Sequence, residues 1–119
     1  EGCVEPEMAG SGLEICFRKG APVDRVVPIR LVLDFDATGQ AIGVEIINLK
    51  LHVGRRCLDR LESDIANYPG SISFSYDEEV DAFSLTLYEG RSTDQLAVTG
   101  EVWLDGAGHI IGLIARSEG

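Results

Sequence analysis

The chain has 119 residues, 45% of them apolar, and its 10 Lys and Arg against 20 Asp and Glu leave a formal charge of −10. That is one domain's length with enough apolar residues for a core, which excludes a charge-rich disordered tail. The longest apolar stretch, 109–115, falls far short of the roughly 20 residues of a spanning helix, and the acid surplus repels phosphate backbones, so neither a membrane span nor nucleic-acid binding is expected.

Residues 1–12 carry Gly, Glu and Pro and read as loose chain; Glu1 is not an initiator Met, so a missing start or removed leader stays open. From 13 to 18, Leu13, Ile15 and Phe17 alternate with polar neighbours, the period of a half-buried strand. A crossing that begins at Gly20 leads to a hairpin in which 29–35 returns as 41–47. Its turn, Asp36-Ala37-Thr38-Gly39, puts a backbone-capping Asp first and a Gly that tolerates positive φ fourth. Residues 54–66 place Leu58, Leu61 and Ile65 at helical spacing, and Asn67-Tyr68-Pro69-Gly70 stops the helix; Arg55 and Arg56 oppose the dipole in the first turn and read as a solvated helix end or partners of neighbouring carboxylates, with an anion site as the alternative. Ile72, Phe74 and Tyr76 then alternate with serines, Phe83, Leu85 and Leu87 form a further strand, and a second hairpin takes 98–104 back as 110–115 through Asp105-Gly106-Ala107-Gly108.

The two hairpin regions repeat. Gly20 and Gly90, Asp24 and Asp94, and Val32 and Val102 stand 70 apart; after one dropped residue, Asp36 and Asp105, Gly39 and Gly108, and Gly43 and Gly112 stand 69 apart. The expected fold is α+β, mainly β: two pseudo-repeated three-stranded antiparallel units, at about 13–47 and 83–115, joined by one short helix at about 54–67 in a single domain, 1–119.

Residues 75–87, Ser-Tyr-Asp-Glu-Glu-Val-Asp-Ala-Phe-Ser-Leu-Thr-Leu, resemble the opening motif of a small prokaryotic family, domain of unknown function 2283, and 34–45, from Asp34-Phe35-Asp36 to Gly43-Val44-Glu45, resemble its closing hairpin. Leu104 and Ile114 depart from the acidic positions of that hairpin in the second copy, and the first copy lacks the Tyr-Asp turn before Leu13. The resemblance implies two incomplete tandem copies of that fold and no catalytic residue.

Chemical motifs exclude more than they assign. Cys3, Cys16 and Cys57 fit no zinc spacing and read as reduced cytoplasmic thiols, with a Cys3–Cys16 bridge as the alternative. Asp77, Glu78, Glu79 and Asp81 lack the Gly and distal Glu of an EF-hand loop and read as a capped turn. His52 and His109 have no nucleophile at a known spacing, and no phosphate-binding glycine loop occurs. No cofactor, metal or catalytic residue is expected. The reading is of a non-enzymatic interaction module, an acidic partner of a basic protein; the alternative is a small-ligand-binding protein or enzyme with its pocket where the two repeats meet. The uncharged strand 110–115, if at a sheet edge, calls for a covering partner, so Ile110, Ile111 and Leu113, with Trp103 as an aromatic anchor, are the interface candidates for a homodimer.

Overall fold

The computed structural model describes residues 5–9 as backbone and residues 12–67 and 72–116 in full. Through them the chain runs β1 (Glu5–Ala9), β2 (Gly12–Cys16), β3 (Arg25–Phe35), β4 (Ala41–Ile47), α1 (Leu49–Val53), α2 (Arg55–Asn67), β5 (Ser73–Asp77), β6 (Ala82–Thr86), β7 (Asp94–Leu104) and β8 (Ile110–Arg116). The strands form one eight-stranded antiparallel sheet in the order β1-β2-β8-β7-β3-β4-β6-β5.

Alternation decides which face each side chain takes. Ile29, Leu31 and Leu33 of β3 and Val98, Val102 and Leu104 of β7 are buried on the inner face, while Arg30 and Thr99 between them are exposed. Leu58, Leu61 and Ile65 of α2 are buried against the same core. Each such side chain contributes about 1.5–3 kcal/mol by leaving water, which holds the helix across the sheet. Phe83 closes the core below β5, its ring stacked on Phe74 with centroids 5.5 Å apart.

Two sets of pairings match residue for residue. Arg30 pairs with Ile47 and Thr99 with Arg116, and both hairpins shift register at the same place, between Asp34 and Phe35 and between Trp103 and Leu104. These bulges bend the strands into their turns. In the crossings, the Phe17 and Arg18 N–H groups both donate to the Ile111 carbonyl (2.9 and 3.2 Å), and those of Leu87 and Tyr88 to the Ile42 carbonyl (2.8 and 3.3 Å). The Asp24 N–H donates to the Leu104 carbonyl and the Thr93 N–H to that of Phe35. The extra residue of the first segment therefore lies between Arg18 and Asp24. The alignments of Asp24 with Asp94 and of Val32 with Val102 do not hold: Asp24 makes the bond that Thr93 makes, and Val102 is fully buried while Val32 faces outward, since a one-residue slip exchanges the faces of a strand.

Several expectations change at the level of topology. The sheet is continuous, and there are two helices rather than one, because α1 precedes α2 across Gly54 (φ +91°). β2 pairs with β8 and β6 with β4, so the first strand of each expected unit joins the hairpin of the other. The 5–9 segment, read as loose chain, is a strand paired with β2. The 110–115 strand is not at an edge: β8 lies between β2 and β7, and the outermost described strands are β1 and β5. α2 ends at Asn67, and the Tyr68-Pro69-Gly70 breaker, like Cys3, lies outside the described residues. Cys16 and Cys57 are free thiols. No helix among the described residues is long and apolar enough to cross a membrane.

Candidate functional site

Three elements meet at one end of β3 and β7. β3 begins with Arg25, directly after Asp24, whose N–H is held 2.7 Å from the carbonyl of Leu104 at the end of β7. The turn after β7 is set by Asp105, whose Oδ1 accepts from the Ala107 and His109 N–H groups (3.0 and 2.9 Å). Gly108 takes the positive φ, +86°, that closes the turn. α2 approaches from the third side: Arg56, Arg60 and Asp64, four residues apart, share the side of the helix next to this turn, and the Arg60 guanidinium donates to the Ala107 carbonyl.

Between these elements is a cavity of about 320 Å³. Arg25, Arg56 and Arg60 line it, with Asp24 and Asp105, and its apolar wall is Val53, Leu104 and Cys57. Arg25 and Arg56 are exposed, and their side chains make no hydrogen bond or ion pair with any described residue. Arg30 and Arg91 are likewise unpaired among the described residues but lie away from this cavity, whereas Arg18, Arg55 and Arg116 pair with Asp64, Glu78 and Glu101. Cys57 is 5% exposed, and burial pushes its thiol up to about 11, although the positive charges of Arg25 and Arg60 act on it in the opposite sense. The thiol is therefore protonated at neutral pH and serves as a wall, not a nucleophile. For Asp105, burial raises the pKa, but the His109 and Ala107 N–H groups outweigh it and the net shift is downward, so the carboxylate stays charged.

Beside the cavity, Arg18 reaches across to α2. Its Nη1 donates to Asp64 Oδ2 at 3.1 Å and contacts His109 Nδ1 at 2.8 Å, which ties the β2–β3 crossing, the helix and the β7–β8 turn together.

The residues singled out in the sequence are distributed otherwise. Ile110, Ile111 and Leu113 are 0%, 5% and 1% exposed, so their side chains are spent on the protein's own interior. Trp103 is half-buried, with its Nε1–H donating to Glu101 Oε1 at 3.2 Å and its ring lying over Gly112. The adjacent arginines part company: Arg55 turns to Glu78 and Asp59, while Arg56 turns to the cavity. The acidic cluster is dispersed among protein donors. Asp77 accepts from the Glu79 N–H; Glu78 takes Lys50 and Arg55; Asp81 accepts from the Lys50 and Leu51 N–H groups and the Tyr76 hydroxyl. Asp36 binds its own turn through the N–H and hydroxyl of Thr38 and the N–H of Gln40. Sequence reasoning reached only the Arg55-Arg56 pair, in a helix start without acidic residues, and missed the cavity because Arg25 is far from α2 along the chain.

No family model matches the chain, and no curated protein or solved structure matches it either.

Proposed function

We propose that this protein binds a small anionic molecule in the cavity between β3, α2 and the β7–β8 turn. The observation that carries the reading is the pair of unpartnered guanidinium groups, Arg25 and Arg56, facing one cavity beside Arg60 in a chain that has twice as many acidic as basic residues. What favours an anion is that two such guanidinium groups face one cavity, and a guanidinium fork suits a carboxylate or phosphate. This is the small-ligand reading of the sequence. Of the face read from the sequence for a homodimer, Ile110, Ile111 and Leu113 are buried and Trp103 is half-buried.

The reading includes an internal duplication, in which β2–β4 and β6–β8 are two copies of one unit. The matched registers and bulges support it, and on that alignment the cavity is peculiar to one end. Asp94 stands where Arg25 does, Phe35 where Leu104 does, and α2 has no counterpart among the described residues. The connector between the copies thus supplies two of the three arginines.

Titration of labelled protein with inorganic phosphate and with acetate, followed by backbone amide NMR, tests the assignment. Shifts are expected at Cys57 and at 106–108, and Arg25→Gln with Arg56→Gln together is expected to weaken them at least tenfold, since a hydrogen bond to a charged group contributes about 1.5–3 kcal/mol. Shifts elsewhere only, or shifts indifferent to both substitutions, would overturn the proposal.

A further inference from the structure

The cavity that takes an anion also presents a carboxylate. Asp24 precedes Arg25 on the same rim, its backbone is fixed by the 2.7 Å bond to the Leu104 carbonyl, and its side chain makes no hydrogen bond or ion pair with any described residue. Asp105 differs, because its Oδ1 is committed to two amides of its own turn. The rim therefore offers two free cations and a free anion, and behind them Val53, Leu104 and Cys57 form an apolar wall.

We propose that the ligand is a zwitterion, an α-amino acid with an apolar side chain, whose carboxylate meets Arg25 and Arg56, whose ammonium meets Asp24, and whose side chain lies against Val53 and Leu104. This rests on the anion-site reading above and narrows it. Long-range electrostatics point the same way. A chain of charge −10 repels a free anion during approach, whereas a zwitterion carries no net charge and responds only to the local pattern inside the cavity. The volume, about 320 Å³, is at the small end of ligand sites, which run from about 300 to 1,000 Å³, and suits one amino acid rather than a nucleotide.

Calorimetry with four probes decides the matter: leucine, 4-methylpentanoate, which lacks the amine, 3-methylbutylamine, which lacks the carboxylate, and inorganic phosphate. Leucine is expected to bind at least tenfold more tightly than each of the others, and Asp24→Asn, checked for folding by circular dichroism, is expected to abolish leucine's advantage over 4-methylpentanoate. If 4-methylpentanoate or phosphate binds as tightly as leucine and Asp24→Asn leaves their ratio unchanged, the zwitterion is wrong and the anion site stands. If none of the four binds, or only the amine does, both readings fall.

Discussion

Arg18 Nη1 lies 2.8 Å from His109 Nδ1. A guanidinium only donates, so Nδ1 must accept, and the neutral imidazole carries its proton on Nε2. The second N–H of the same nitrogen serves Asp64 at 3.1 Å. Imidazole ¹⁵N NMR at pH 8 is expected to show the Nε2–H tautomer, and an Nδ1–H signal would disprove the contact. Arg18→Met is expected to cost about 1–2 kcal/mol, because Asp64, 14% exposed at its side chain, is left without its cation.

Asp81 holds α1 to the β5–β6 turn. It adopts φ +55°, unusual for a residue other than glycine, and its two oxygens accept from Lys50 N–H, Leu51 N–H and the Tyr76 hydroxyl at 2.8–3.0 Å. Burial raises its pKa, but the Lys50 N–H, the Tyr76 hydroxyl and the Leu51 N–H together outweigh this and the net shift is downward. A depressed carboxylate pKa stabilises the fold above the unfolded value of about 3.9, and that stability is lost as pH falls through the lower folded value. Urea midpoints at pH 7 and pH 3 should therefore differ less in Asp81→Asn than in the wild type, and the variant should be the less stable at pH 7. The difference shrinks without vanishing, because Asp36, Glu78 and Asp105 are shifted in the same direction.

The two hairpin glycines separate stability from binding. Gly39 and Gly108 have φ +87° and +86°, and Ala at either is expected to cost about 1 kcal/mol through backbone strain alone. Open space surrounds a Cβ at position 39, whereas one at 108 would come within 3.1 Å of Arg60 Nη1. Thermal melts should fall for both variants, while amide shifts on phosphate titration should weaken only in Gly108→Ala. Equal binding by the two would show that Arg60 does not shape the cavity.

Gly100 is a harder limit. A Cβ there would be 2.1 Å from the Ile114 carbonyl oxygen and 2.5 Å from a methyl of Leu31, both in the core of the sheet. Gly100→Ala is expected to cost at least about 2 kcal/mol. Gly106→Ala meets nothing within 4 Å and is expected to stay within about 0.5 kcal/mol. Chemical denaturation of the pair measures the contrast.

The strands and their turns were legible in the sequence because a period of two and an Asp-x-x-Gly turn are local signals. Leu31, Leu33, Val44 and Ile46 announce their face, and Gly39 announces its φ. Strand order is not local, and nothing in the alternation of Leu13 and Ile15 says that their neighbours are Ala115 and Leu113. β1 carries Pro6 and two glutamates, a poor strand pattern, and α1 is five residues long, too short to show a period. The missed site follows from the same limit: Arg25 is exposed at a strand start and Arg60 lies a turn beyond the flagged Arg56, and only the meeting of β3 with α2 makes them one surface.

The exchange of partners, β2 with β8 and β6 with β4, has a consequence for synthesis. Translation proceeds at about 5–20 residues per second, and β2 emerges long before its partner strand β8. Until 112–116 leaves the ribosome, β2 has only the short β1 as a strand neighbour. Neither half can complete its sheet alone, because each contributes a strand that the other's hairpin pairs with. A chain truncated before β8 leaves β2 without its partner strand and is expected to be cleaved by proteases far faster than the full chain.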